Sequence, residues 1–429
     1  MPSLNEPFQG VTHLLKPEPK EFSSSFNISQ TVSEVVSAVK EHGDKAVAEF
    51  ALKFDKSVLA TFEVTLEDRE MALEELDPQM RKDTEFAIAN VRKFAEAQLA
   101  TMLPLEIEIT KGVHLGHRII PIQRIGCYVP GGRYPLLSAP VMTIVPAKVA
   151  GVEEVIACLP PNAHRAMIAG CHLAGADRIF RIGGAQAIAA MAFGTKTVPS
   201  VDKIVGPGNA FVNEAKRQVF GPIGIDQLAG PSEIYTLADN SGDAEMIATD
   251  LLAQAEHDVC TRVGLITTDP ILGHAVKGEV ERQIRVLATA ETASQAWRDY
   301  GEISICADEA SMISYSDHIA AEHLQVHTAD PKAFARKLRN YGSLFIGELA
   351  SVVYSDKCCG TNHTLPTMAA SRYTGGLWVG TYVKIATHQW MEPEGVLAVA
   401  PPSVRQSTSE GLDGHRRAAQ LRLDRLQGR

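Results

Sequence analysis

Between residues 118 and 346, short β-branched runs alternate with helix-like segments, and this constrains the fold more than any other feature. Arg118–Val129 and Val152–Leu159 read as strands, and Asn162–Ala174 reads as a helix. Arg178–Ile182 (strand), Ala185–Ala192 (helix), Val201–Val205 (strand) and Asn209–Val219 (helix) continue the series. After Gly230-Pro231 it resumes with Asp243–His257 (helix), Arg262–Thr267 (strand), Ile271–Leu287 (helix), Glu302–Cys306 (strand), Ala310–Ala321 (helix) and Ser343–Ile346 (strand). Parallel strands need a long crossover, usually a helix, so this rhythm predicts mostly parallel sheets covered by helices. Two α/β units are expected, joined by a Gly/Pro-rich stretch near 221–231.

The flanks read differently. Residues 1–30 form a polar lead-in. Val32–Leu52 carries Val32, Val35, Val36, Val39, Ala46 and Phe50 at helical spacing, and Thr65–Leu99 repeats the pattern, so the first hundred residues read as mainly helical. Past Thr367 the pattern degrades. Glu392–Ser409, rich in Pro, Ser and Val, reads as a connection. Gly411–Leu426 reads as a basic terminal helix of the kind that packs on another chain or domain.

Composition removes several function classes. Lys plus Arg is 41 against 51 Asp plus Glu, a net charge of −10, which argues against nucleic-acid binding and an anionic membrane surface. The longest apolar stretch, Val141–Leu159, is interrupted by Pro146, Lys148, Glu153 and Glu154, so no membrane span is expected. The start shows no basic region followed by an apolar one, so no secretory signal is read there. Seven dispersed cysteines without a CxxC pair fit reduced thiols in a cytoplasmic protein.

Five segments carry residue types that do chemistry. Arg181-Ile-Gly-Gly-Ala-Gln186 and Val205-Gly-Pro-Gly-Asn209 are glycine turns between a strand and a helix, where backbone N–H groups can meet phosphate. Neither is the dinucleotide fingerprint, since Phe211 stands where a third small residue belongs, and ordinary tight turns account for them equally well. Gln254 and His257, three apart on a predicted helix, share a face and form half of a zinc-type donor set. In isolation, a capping or core histidine is the plainer reading. Glu322-His323, read as a pair at the end of a helix, puts a carboxylate beside an imidazole, the natural general base near neutral pH, although a helix-end pair without chemistry is the plainer reading in isolation. Asp356-Lys-Cys-Cys-Gly-Thr-Asn-His363 offers a metal ligand and a donor to substrate, while its adjacent cysteines read better as packing than as nucleophiles. Glu410-Gly-Leu-Asp-Gly-His415 could close a site from a distant part of the chain.

Together these segments resemble the histidinol dehydrogenase family from about residue 32 to residue 423. The resemblance rests on Gly126-Cys-Tyr-Val-Pro-Gly-Gly132, Gly183-Gly-Ala-Gln-Ala-Ile188, Val205-Gly-Pro-Gly-Asn-Ala210 and Leu228-Ala-Gly-Pro-Ser-Glu233. It continues through Asp250-Leu-Leu-Ala-Gln-Ala-Glu-His257, Ala321-Glu-His-Leu324, Gly360-Thr-Asn-His-Thr-Leu-Pro-Thr367 and Glu410–His415. It implies an α/β fold of two incomplete Rossmann-like domains with a helical N-terminal part and an exchanged C-terminal tail. The division would be 1–123 with 233–372, then 124–232 as the NAD-contacting domain, then 373–429 as the tail. It also implies a homodimer with one zinc per subunit, held by Gln254, His257, Asp356 and His415. Glu322 and His323 inherit the proton chemistry. Tyr128, Gln186 and Asn209 fall at NAD-contacting positions, and Ser232, His363 and Glu410 at substrate positions. The implied reaction oxidises a primary alcohol through a bound aldehyde to a carboxylate, with two NAD consumed. His323 would take the hydroxyl proton, and Glu322 would activate the water that hydrates the aldehyde. A catalytically silent relative would have no physical reason to keep this whole set.

One stretch departs from histidinol dehydrogenases. Arg372-Tyr-Thr-Gly-Gly-Leu-Trp-Val-Gly380 is similar instead to the sulfopropanediol 3-dehydrogenase branch, which oxidises 2,3-dihydroxypropane-1-sulfonate to sulfolactate. A sulfonate needs cationic or N–H donors, for which Arg133, Arg372 and Lys384 are candidates. Ser232 and Glu410 follow the histidinol type and keep L-histidinol in play.

Overall fold

The computed structural model describes residues 8–17, 25–131 and 136–428. Its frame is two sheets wound the same way. In the five-stranded sheet, Arg124–Tyr128, Glu154–Leu159, Arg178–Arg181, Lys203–Val205 and Gly224–Ile225 are all parallel, in the spatial order third, second, first, fourth, fifth. Glu233–Ala238, Arg262–Thr267, Gly301–Cys306, His323–His327 and Ser343–Ile346 repeat that order in the six-stranded sheet. Val11–Leu15 completes it as an antiparallel edge beside Gly301–Cys306. Such a sheet starts in the middle, winds to one edge, then returns to the middle and winds to the other. A crevice therefore opens at the carboxyl ends of its first and fourth strands.

The alternation predicted from sequence is present. Arg262–Thr267 and Ser343–Ile346 have the expected bounds, and the helices Arg165–Ala174, Gly184–Phe193 and Ala210–Val219 lie where expected. The N-terminal helices are Ser25–His42, Asp44–Asp55, Leu66–Glu74 and Pro78–Leu99. Val32, Val35, Val36, Val39, Ala46 and Val47 are buried in one cluster with Ile188 and Met191, so the first two of these helices pack on the helix Gly184–Phe193, which flanks the five-stranded sheet. Among the described residues no helix is long and apolar enough to cross a membrane. All seven cysteines are free thiols.

The first hundred residues are mainly helical as expected, but the polar lead-in also contributes a strand, Val11–Leu15. Three expectations are corrected. Arg118–Val129 is two strands in two sheets. Val113–Pro121 pairs antiparallel with Val383–Met391 and Leu105–Thr110 in a third sheet, and the chain then passes through Ile122-Gln123 into Arg124–Tyr128. Glu392–Ser409 is no connection: Pro393–Ser409 is a helix. Pro393 occupies its first turn, where a missing N–H costs nothing, and packing against Asp413–Leu426 supports the rest despite Pro401 and Pro402. Glu322-His323 does not end a helix either. The helix Glu309–Ile319 stops at Ala320, whose φ of 54° is left-handed, and His323 opens a strand.

One glycine turn is fixed from beneath. Gly206 follows the fourth strand of the five-stranded sheet at φ +113°, and a Cβ there would lie 2.2 Å from the Tyr128 carbonyl oxygen. Its N–H donates to Asp226 (2.7 Å) and its carbonyl accepts from Lys216 (3.0 Å). Lys216 and Asp226 form a buried ion pair with each other. Both charges are thus satisfied, and the peptide plane of Gly206 is held from both sides.

Candidate active site

The first half of the site lies at the amino ends of the six-stranded sheet. Ser232 leads into Glu233–Ala238 and Glu322 leads into His323–His327, and these strands are neighbours with His323 opposite Ile234. That pairing brings together residues some ninety positions apart. The Glu322 carboxylate accepts from the Ser232 hydroxyl (2.7 Å) and the Glu233 N–H (2.8 Å) through Oε2. Gln254 donates its amide N–H to the Ser232 hydroxyl, which leaves the Gln254 carbonyl oxygen for another partner.

His323 is 2% exposed. Its Nδ1 lies 2.9 Å from the Glu233 carbonyl oxygen and 3.5 Å from the Glu322 carboxylate. A carbonyl only accepts, so Nδ1 carries the hydrogen and Nε2 bears the lone pair in the neutral ring. That Nε2 is buried without a partner. Burial opposes the charged ring, but Glu322, Asp356 and the Glu233 carbonyl outweigh it and push its pKa up to about 9.

Glu233 was not anticipated from sequence. Its carboxyl is buried and pushed up to about 7, chiefly by burial, with Arg262 opposing and Glu322 adding to the rise. It accepts from the Met368 N–H (3.1 Å). Met368 and Ala369 hold left-handed backbone at φ 54° and 62°, a strained pair next to the site.

Gln254, His257 and Asp356 line one cavity of about 510 Å³. The helix Ala244–Ala255 ends before His257, so the two residues do not share a helical face as expected; the turn after the helix brings His257 back over Gln254. His257 Nε2 lies 3.8 Å from the Asp356 carboxylate. One imidazole nitrogen, one carboxylate and one amide oxygen form a donor set that suits zinc, one ligand short of a closed tetrahedron. Among the described residues no three His, Cys, Asp or Glu side chains converge on a metal-sized point. Gln254 lies outside those four residue types, and His415 is exposed on the tail, away from this cavity. Glu410 is likewise exposed on the tail. His363 donates through Nδ1 to the Asp356 carbonyl oxygen (3.1 Å), and burial holds its pKa low.

The second half is the crevice at the carboxyl ends of the five-stranded sheet, a cavity of about 470 Å³. Tyr128, Gln186 and Asn209 all line it. The Tyr128 hydroxyl accepts from the Gly184 N–H (3.1 Å), and burial pushes the phenol up to about 12. Gln186 donates to Asp55 (3.1 Å). Asn209 caps the helix Ala210–Val219 by accepting from the N–H groups of Phe211 and Val212. This is where an open, doubly wound sheet takes a nucleotide.

Among the cationic candidates, Arg133 lies outside the described residues. Arg372 donates to the His318 carbonyl, Lys384 is exposed on Val383–Met391, and neither lines the metal-side cavity. Lys357, next to Asp356, does line it.

Comparison with known proteins identifies the family and the fold. Residues 18–423 match the family described as histidinol dehydrogenase. The chain is 46% identical over 406 residues to histidinol dehydrogenase homolog 1 of Mesorhizobium japonicum, covering 94% of this chain and 81% of that protein. It is 41% identical over 419 residues to sulfopropanediol 3-dehydrogenase of Ruegeria pomeroyi, covering 96% of each. The crystal structure of histidinol dehydrogenase from Elizabethkingia anophelis superposes with a TM-score of 0.89 at 32% identity, covering 97% of this chain and 99% of that one. The chain belongs to the histidinol dehydrogenase family, NAD-dependent oxidoreductases acting on CH–OH groups.

Proposed function

We propose that the chain is a zinc-requiring, NAD-linked dehydrogenase that oxidises 2,3-dihydroxypropane-1-sulfonate to sulfolactate as a cytoplasmic homodimer. The observation that carries the reaction is the His323–Glu322–Ser232 cluster, which presents an unpartnered imidazole Nε2 beside a bonded carboxylate and next to a zinc-type donor set.

In the alcohol step, Nε2 of neutral His323 takes the hydroxyl proton while hydride leaves carbon for NAD. The aldehyde stays bound, and Glu322 accepts a proton from the water that adds to it. A second hydride leaves the resulting hydrate, giving the acid. One alcohol, one water and two NAD⁺ become one carboxylate, two NADH and three protons. Gln254, His257 and Asp356 would hold zinc, with His415 reaching in from a second copy of the chain. When bound, the metal supplies Lewis acidity that polarises and orients the hydroxyl oxygen. Tyr128, Gln186 and Asn209 would seat the NAD.

Two observations support the sulfonate. One is the similarity to sulfopropanediol 3-dehydrogenase along the whole chain. The other is Lys357, a cation in the metal-side cavity with no ion pair among the described residues. L-histidinol is the second reading, favoured by Glu410 and by the structural match. NADH formed per molecule of limiting substrate, with zinc present, separates them. Two NADH from the sulfonate and none from L-histidinol are expected, and the reverse result overturns the substrate assignment.

Glu322→Gln keeps an oxygen that can accept from Ser232 and Glu233 but removes the base. Its first NADH should form at close to the wild-type rate, with the aldehyde step slowed by about a hundredfold or more. Equal slowing of both steps would remove the water role from Glu322.

A further inference from the structure

The residues of the metal-side half sit on four separate elements, and one chain of hydrogen bonds joins all four. Thr236, on Glu233–Ala238, donates to the Gln325 side-chain oxygen (3.0 Å). Gln325, on His323–His327, donates its amide N–H to Asp250 Oδ2 (2.7 Å). Asp250 lies on the helix Ala244–Ala255, and its Oδ1 accepts from the Ser351 hydroxyl (2.8 Å). Ser351 is the N-terminal cap residue of Val352–Lys357. Thr236 and Gln325 are fully buried.

Each link stands at a fixed step from a functional residue. Gln325 is two residues after His323, so both side chains leave the same face of the strand. Asp250 is four residues before Gln254, one helical turn away on the same face. Ser351 opens the short helix that carries Asp356. Asp250 has both carboxylate oxygens engaged, one by the base's strand and the other by the helix of a metal ligand. Two donors converge on it from different elements, and a carboxylate can accept both at once.

We propose that Asp250 is a positioning residue that sets the spacing between His323 and the pair Gln254 and Asp356, and so tunes both the metal affinity of the site and the alignment of the base. The proposal rests on the zinc-dependent reading above. Groups that orient ligands from behind govern metal affinity because a donor that swings freely must be ordered when the ion binds.

The test is zinc affinity of the full-length chain, measured by competition with a chromophoric chelator, alongside kcat and KM. Wild type should bind about one zinc per subunit. Asp250→Ala should bind zinc about 10–100-fold more weakly, with a lower kcat, in a metal-free protein that is still folded at the assay temperature. Asp250→Asn keeps one acceptor and gains a donor that the Ser351 hydroxyl can accept, so it should stay within about threefold of wild type. Should Asp250→Ala fail to fold, Ser351→Ala cuts a single arm of the bridge and should weaken zinc in the same direction. Wild-type zinc affinity in a folded Asp250→Ala overturns the positioning role while leaving the zinc reading intact. A wild-type chain that binds no zinc overturns both.

Discussion

Replacing His323 with alanine is expected to cut NADH formation by about a thousandfold while zinc content stays at the wild-type level. The size follows from what the ring does. Nδ1 is committed to the Glu233 carbonyl, so only Nε2 can take the alcohol proton, and no other partner holds it. Without that nitrogen the hydroxyl proton must go to water in a closed site. Metal content should not change, because His323 is not among the donors Gln254, His257 and Asp356. The pH profile provides a second reading of the same assignment. The charged ring cannot accept a proton, so activity falls as pH drops through its pKa, which stands at about 9 in the metal-free protein. Asp356 contributes to that rise, so a cation bound by Asp356 would shift the limb to lower pH. His323→Ala should lack this limb. Undiminished NADH production, or an unchanged limb in the variant, would remove the base assignment.

Much of the frame was legible in the sequence because parallel strands buried on both faces are continuous apolar, β-branched runs. Arg262–Thr267 (RVGLIT) is of this kind and was placed to the residue, as was the half-exposed edge strand Ser343–Ile346 (SLFI) from its apolar run. Two central strands were missed, Glu233–Ala238 and His323–His327, and both carry residues of the candidate site. His323–His327 reads HLQVH, polar at every second position, because one face carries His323 at the candidate site and Gln325 in its supporting bonds, with His327 buried on the same face. A strand that gives one face to chemistry loses the apolar signature that identifies strands. Pro393–Ser409 was hidden for a different reason. Its prolines argue against a helix locally, and the packing that sustains it comes from Asp413–Leu426.

The site was legible as motifs but not as geometry. Glu322 and His323 were found because they are adjacent, and Gln254 and His257 because they are close in sequence. Glu233 entered only as the last residue of Leu228–Glu233, a stretch that carries the family resemblance. Its importance depends on lying beside Glu322 and on handing its N–H to one site residue and its carbonyl to another. Those are properties of strand register, which no local pattern carries. Asp250 and Ser351 escaped for the same reason, since their bond spans about a hundred residues.

The tail sets the last expectation. His415 and Glu410 are exposed, and no residue of Asp413–Leu426 is buried, although the helix carries Leu421 and Leu426. Its main contact is the helix Pro393–Ser409 beside it. An arm of that kind leaves its apolar groups in water unless another surface covers them; in the reading proposed above, a second copy of the chain would cover them and bring the fourth donor to Gln254, His257 and Asp356. Mixing two inactive variants tests this. His415→Ala spoils the donated tail, and His323→Ala spoils the receiving site. Co-expressed at equal levels, they should form mixed dimers as half of the total. Each mixed dimer pairs one intact tail with one intact base, so one of its two sites works, and about a quarter of wild-type activity should return. The same variants purified apart and assayed separately should stay near background. If co-expression gives no recovery while the mixed dimer is present, the fourth donor must come from the same chain and the tail must fold back on its own subunit.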